Sequence, residues 1–208
     1  MRAYHRSTAR VYDVALPNVA LSTDSAVLQR GKHLAESLGE CTSCHGPNLG
    51  GGAVEDLGPL GTVTFPNVTS GKDGRLAAYS DGELARLLKH GIKRDGRTVR
   101  FMPAQNWGWW PAEDVAALIS WLRTARPVDG NPGDANFKAM AKVLDRFNAI
   151  PLDIARRIDH AHLPKAPVPA PDAQYGAFVA RGAVAATVRH WPAVPFRARP
   201  PHSQCRSI

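Results

Sequence analysis

Three stretches of the chain carry apolar residues at helical spacing. The first opens at Asp24 or Ser25, either of which can cap, and runs to about Leu38 with Ala26, Val27, Leu34, Ala35 and Leu38 as its apolar positions. The second opens at Ser80, with Glu83 three residues on as the partner of a capping box. Leu84, Leu87 and Leu88 form its stripe, and it closes at His90-Gly91. The third has Pro111 in its first turn, Glu113 and Asp114 at the positive end of its dipole, and Val115, Leu118, Ile119 and Leu122 as its buried face. Between the first two lies a stretch of loop, Gly46 to Tyr79. The pattern therefore predicts an all-α fold. Three short helices are a poor core for a module of about 100 residues. So long a loop argues against a compact domain unless something else organises it.

That organiser is written at Cys41-Thr42-Ser43-Cys44-His45. The spacing is C-x-x-C-H, the attachment signature of a c-type haem. The two thiols add across the haem vinyl groups and become thioethers, and His45 supplies an axial nitrogen. A zinc site needs four ligands, usually from two such pairs, and the only other cysteine is the distant Cys205. A thioredoxin-like pair opens a helix in a βαβ context. Here the pair reads as closing the first helix and running into the Gly-rich turn Gly46 to Gly52. A flat, covalently held haem gives the helices and the long loop a surface to pack on.

A six-coordinate iron needs a second ligand, and a methionine thioether raises the potential relative to nitrogen. Of the three methionines, Met1 is the initiator and Met140 sits in a helical stretch as a filler. Met102 stands before Pro103, so it lies on a stiff, extended loop suited to holding a thioether still. Among the histidines, His33 falls on the first helix facing solvent and His90 ends the second, where a cation suits the dipole. Trp107, Trp109, Trp110 and Trp121 are expected to pack on the distal side of the haem. Asn67 is expected to donate its amide to a haem propionate or to fix the loop carrying Met102.

With these pieces in order, residues 24–130 resemble a class I cytochrome c domain, and more narrowly the haem modules of bacterial multihaem cytochromes such as the cytochrome subunit of quinoprotein alcohol dehydrogenases. The resemblance rests on Arg30 to Ala35, Cys41 to His45 followed by Gly46, Pro66-Asn67-Val68-Thr69, Ser80 to Leu84, Asp95-Gly96-Arg97, Met102-Pro103, and Asp114 to Arg123. It implies short helices wrapped around one haem c, attached through Cys41 and Cys44 and ligated by His45 and Met102. It implies a single-electron carrier rather than an enzyme, working with redox protein partners such as a membrane-bound dehydrogenase or oxidase complex at the periplasmic face of the inner membrane. If Met102 is not a ligand, the alternative is a haem enzyme or a gas or peroxide sensor with an open iron site.

Charge changes this picture little. The net charge is +8. Residues 1–20 carry three Arg against Asp13, and residues 171–208 carry five Arg against Asp172, which leaves +2 for the rest. The haem module is nearly neutral, and no basic stripe with interleaved aromatics speaks for nucleic acid. No apolar run is long enough for a signal peptide or a transmembrane span. Thioether attachment in bacteria happens outside the cytoplasm, so residues 1–23 read as an extension whose true start lies upstream, Tyr12 to Pro17 resembling the mature region that follows a signal anchor. Residues 131–171 read as a linker with short helices over about 135–148 and 153–158. In residues 172–208, Tyr175 to Arg181 parallels the lead-in Arg30 to Glu36, yet no second C-x-x-C-H follows. A disordered basic tail, and a second cytochrome lead-in cut off by a frameshift after about Ala180, are both consistent with that.

Overall fold

The computed structural model describes residues 9–150, 152–168 and 170–177. Five helices and a small sheet make up the body: α1 (Ser25–Glu36), α2 (Cys41–His45), β1 (Val54–Asp56), β2 (Gly61–Thr64), α3 (Asp81–His90), α4 (Ala112–Arg123), β3 (Asn136–Phe137) and α5 (Ala139–Arg146). Short 3-10 turns lie at 58–60, 76–78, 104–106 and 155–157.

The caps form as their chemistry dictates. The Asp24 carboxylate accepts from the backbone N–H of Ala26 and Val27 and starts α1. Ser80 and Glu83 satisfy each other's backbone N–H in a complete capping box at α3, which ends at Gly91 in the left-handed region. Pro111 sits one position earlier than expected, as the N-cap of α4 rather than within its first turn. Its Val115, Leu118, Ile119 and Leu122 are all buried, as the spacing required.

α1 and α4 pack against each other to make the main core, with Leu34, Ala35, Leu118 and Ile119 almost fully enclosed. Gly31 makes the close approach possible. A Cβ there would stand 2.0 Å from the Ala117 carbonyl oxygen and 2.9 Å from Trp121 Cβ, so only glycine lets the helices meet at this point. Arg30 grips Asp114 through two parallel bonds, Nε to Oδ1 at 2.9 Å and the terminal nitrogen to Oδ2 at 2.8 Å, fixing the same pair of helices. Leu84, Ala85 and Leu88 of α3 complete the cluster.

The expectation of a purely helical fold is corrected by a three-stranded antiparallel sheet in the order β1-β2-β3. Val54 pairs with Thr64 and Asp56 with Thr62, closing a hairpin around Gly58-Pro59-Leu60. Gly61 pairs with Phe137 and Thr62 with Asn136. The β-branched run Thr62-Val63-Thr64 favours strand. The strands are two to four residues long, too short for a period to stand out in the sequence.

The flanks pack onto this body. Tyr12 N–H bonds to the Gly96 carbonyl at 2.8 Å and Val11 bridges Arg97, so residues 11–12 run beside the loop after α3. The expected helices at about 135–148 and 153–158 are found as α5 and the 155–157 turn. They do not stand off as a spacer: Phe137, Ala141, Ile150 and Leu152 form a second buried cluster with Leu60 and Val63 of the hairpin. The Cys205 thiol and the proposed frameshift after Ala180 lie outside the described residues, as do residues 178–181 of the second lead-in.

Candidate functional site

The attachment motif does not close α1, as expected, but forms a helix of its own. Residues 37–40 break the chain, and Glu40 turns it in the left-handed region, φ 48° and ψ 30°, before α2 begins at Cys41. Cys41 and Cys44, three apart, share one face of that single turn. Both are free thiols. Cys41 packs beside the main core, and Trp110 closes over the same point: a Cβ at Gly39 would meet the Trp110 ring at 3.2 Å and Cys41 Sγ at 3.3 Å.

The electrostatics separate the rival uses of this pair. Burial pushes the Cys41 thiol up to about 12. Cys44 is raised by burial, with the Glu40 and Glu55 charges adding to it. A redox-active dithiol is favoured by a depressed thiol, and burial moves both of these thiols the other way. Among the described residues no three His, Cys, Asp or Glu side chains converge as a metal cluster would.

His45 is positioned by its neighbours. Its Nδ1 lies 2.8 Å from the Pro66 carbonyl oxygen. A carbonyl can only accept, so Nδ1 carries the proton and Nε2 is left as a bare lone pair. Burial lowers the affinity of the ring for a second proton, which keeps it in the neutral, ligating form. The loop that presents Pro66 is knitted to the end of the motif by Gly51 N–H to His45 O at 2.8 Å and Gly52 N–H to Phe65 O at 2.9 Å. Gly51 holds φ +70°, and a Cβ there would fall 2.4 Å from Phe65 O. Pro66 was part of the sequence pattern, but nothing in it said that its carbonyl, rather than a side chain, is the working group.

Two ring contacts link His45 to Phe101, the residue before Met102. The Phe65 ring is edge-on to His45 at 6.2 Å and to Phe101 at 5.9 Å. Met102 itself is half-buried, packed against both the main core and a smaller cluster of Val99, Ala104 and Ile154. Its carbonyl accepts from Ala104 N–H at 2.9 Å, which tightens the loop after Pro103.

Asn67 departs from expectation. Its amide nitrogen donates to the carbonyls of Val128 at 2.6 Å and Gly130 at 3.0 Å. Its Oδ1 accepts from Thr69 N–H and Oγ1. Both amide hydrogens are thereby engaged, leaving none for a propionate. What the residue ties down is the stretch after α4, not the Met102 loop. It also precedes Thr69, whose hydroxyl bonds the same Val128 carbonyl, so the Pro66 loop is anchored from behind.

Whether these residues suit a haem can be judged from what they leave unmet. Trp107 and Trp110 pack at 6.1 Å between ring centroids and are 5% and 3% exposed, and the indole N–H of each is buried without a partner. Two orphaned donors beside an apolar cluster are costly unless an acceptor arrives with the ligand. Trp121, by contrast, packs at the α1–α4 crossing against Gly31. The donor set suits a c-type haem: two thiols on one turn, a neutral imidazole nitrogen, a thioether and two unmet N–H groups.

Residues 26–122 match the model of the family described as cytochrome c oxidase, cbb3-type, subunit III. Over that segment the chain is similar to c-type cytochrome domains. Its relatives narrow the type. The chain is 32% identical over 111 residues to the cytochrome c subunit of the quinone alcohol dehydrogenase of Gluconacetobacter polyoxogenes, a match covering 50% of this chain and 23% of that subunit. It is 28% identical over 103 residues to the gluconate 2-dehydrogenase cytochrome c subunit of Pantoea cypripedii, covering 48% and 23%. A diheme cytochrome c-type protein of Cereibacter sphaeroides is 29% identical over 111 residues, covering 49% and 36%. The chain thus spans less than a quarter of the length of the two dehydrogenase subunits.

Proposed function

We propose that residues 24–130 carry one haem c, attached through Cys41 and Cys44, with His45 and Met102 as axial ligands, and that the protein passes single electrons between protein partners. When bound, the haem supplies a one-electron couple; the protein supplies its attachment, axial field and enclosure. Cys41 and Cys44 would hold the haem, each through a thioether made by addition of its S–H across a vinyl group, which needs no leaving group. His45, already neutral and aimed by the Pro66 carbonyl, presents Nε2 without a rotamer search. The indole N–H groups of Trp107 and Trp110 offer donors for the propionate carboxylates.

The observation that carries this reading is the pairing of the Cys41–His45 turn with the Pro66 carbonyl, because it leaves one nitrogen free and fixes its direction. By analogy with the relatives' names, the electron donor is a dehydrogenase, and the site of action is the periplasm, where thioether haems are made. No helix among the described residues is long and apolar enough to cross a membrane. Expression with a haem maturation system, followed by a pyridine haemochrome spectrum, tests the proposal. A spectrum of two-thioether haem at one haem per chain is expected. Apo-protein, or haem that extracts into acid organic solvent, contradicts it. Carbon monoxide binding by the reduced protein at neutral pH would instead select the open-iron reading.

A further inference from the structure

The family match ends at residue 122. Beyond it, one segment turns back over the edge of the module where Met102 sits. Ile150 and Leu152, each at most 2% exposed, join the cluster on which Phe65 and Phe101 pack. Ile154 is 2% exposed and packs with Val99 and Ala104, with Met102 and Ile158 against the same cluster. A Cβ at Gly91, the cap of α3, would meet Ala104 Cβ and Ile154 Cγ2, both at 3.3 Å. The end of α3, the Met102 loop and this segment therefore meet at one point. Ala155 N–H donates to the buried Thr98 Oγ1 at 3.0 Å, adding a bond to the stretch of chain that leads into Met102.

Two polar latches secure the segment. The Tyr12 hydroxyl bonds to the Asp153 carboxylate, 2.8 and 2.9 Å to its two oxygens. His90 Nδ1 and His160 Nδ1 stand 3.0 Å apart with ring centroids 5.2 Å apart. That centroid separation means the nitrogens point at one another, so the gap holds one shared proton. A metal would need the two lone pairs to converge to one side at about 2.0–2.1 Å each.

We propose that Ile150 and residues 152–160 form a strap that positions Met102, with Ile154 as the positioning residue beneath its loop and the Tyr12–Asp153 and His90–His160 contacts as the latches. The inference rests on Met102 being the second axial ligand. Its physical basis is that a Met–iron bond is easily exchanged, so its occupancy depends on how tightly the loop is held. Met102 packs on the main core of α1, α3 and α4 and also on the small cluster that Ile154 of the strap completes.

The experiment uses the haem-loaded full chain. It reads the sulfur-to-iron charge-transfer band of the oxidised protein and carbon monoxide binding by the reduced protein at neutral pH. Ile154→Ala is expected to lose part of the band and to bind carbon monoxide, and Ile154→Val to keep the parent's behaviour. Ile119→Ala empties a comparable volume in the α1–α4 core and is expected to lower the melting temperature while keeping the band. If Ile154→Ala keeps the band and refuses carbon monoxide, or if Ile119→Ala loses the band equally, the strap has no positioning role. Should Ile154→Ala fail to mature, His160→Gln and Tyr12→Phe release one latch each without emptying the core, and the same loss or retention of the band decides. Met102→Ala keeps the two readings separate: a band that survives it overturns the ligand assignment, whereas a band lost there but untouched by the strap variants overturns the strap alone.

Discussion

The two faces of the site are held in different ways. On the His45 side, everything that aims the ligand is close at hand. A one-turn helix carries both thiols and the imidazole, and the Pro66 carbonyl 21 residues away fixes the ring. On the Met102 side the proposed ligand rides on a loop, and its packing comes from the main core and from Val99, Ala104 and, from far along the chain, Ile154. One ligand is positioned by covalent neighbourhood and a single bond, the other by tertiary packing. The first should be hard to perturb except by removing it; the second should respond to changes at a distance.

The largest effect expected is on the rigid side. His45→Ala or Cys44→Ala should abolish stable holoprotein, read as loss of haem absorbance in purified material. Met102→Ala should leave the haem attached while lowering the midpoint potential on the order of 100 mV, within the range over which axial ligands set haem potentials. Equal loss of haem in both variants would erase the distinction between the faces.

Gly31→Val comes next. The nearest atom to an added Cβ is the Ala117 carbonyl, which is backbone and cannot step aside. The cost should exceed about 3 kcal/mol in a thermal or denaturant melt of the holoprotein, above the usual range for overpacking. Asn67→Ala should cost about 1–3 kcal/mol, because it takes the amide donor from the Gly130 carbonyl and the acceptor from the buried Thr69 N–H. Its midpoint potential should stay at the parent value, since neither amide hydrogen faces a propionate. A shifted potential with unchanged stability would restore the propionate role.

The smallest effect is set by pH and falls on the flexible face. Burial, together with the charges of His160, Lys89 and Arg86, lowers His90 from its ordinary value to about 4, and His160 is lowered by burial against the opposing pull of Asp159 and Asp153. A histidine whose folded pKa is depressed binds fewer protons folded than unfolded between the two values. Its contribution to stability is therefore complete above about 6.5 and is lost as pH falls from there towards about 4. The melting temperature should decline across that window, and His90→Gln should flatten the decline. An unchanged slope in that variant would remove the histidine pair from the account.

Legibility in the sequence follows the same division. α1, α3 and α4 could be read because each has a capping side chain or acidic first turn and a stripe of leucines long enough to show a period. The attachment turn could be read because five consecutive residues state its chemistry. The sheet could not: β3 is two residues, and only its partner β2 gives Asn136 and Phe137 an extended role. The break at Glu40 was hidden because a left-handed glutamate has no signature in the sequence. The role of Asn67 is hidden because its partners are main-chain carbonyls 61 and 63 residues away, which no side-chain pattern records. Ile150, Leu152 and Ile154 fall in a stretch that reads as a linker because they alternate with Pro151 and Asp153 and acquire a face only against the hairpin and the Met102 loop.

The central claim is that this chain binds one haem through both cysteines of the Cys41–His45 turn. Mass spectrometry of the matured protein under denaturing conditions tests it most directly. The account predicts a mass raised by one haem that survives acid and organic solvent, and that falls to the apo value in the Cys41→Ala/Cys44→Ala double variant. An apo mass in the parent protein, or a haem that stays covalently bound in the double variant, would contradict it.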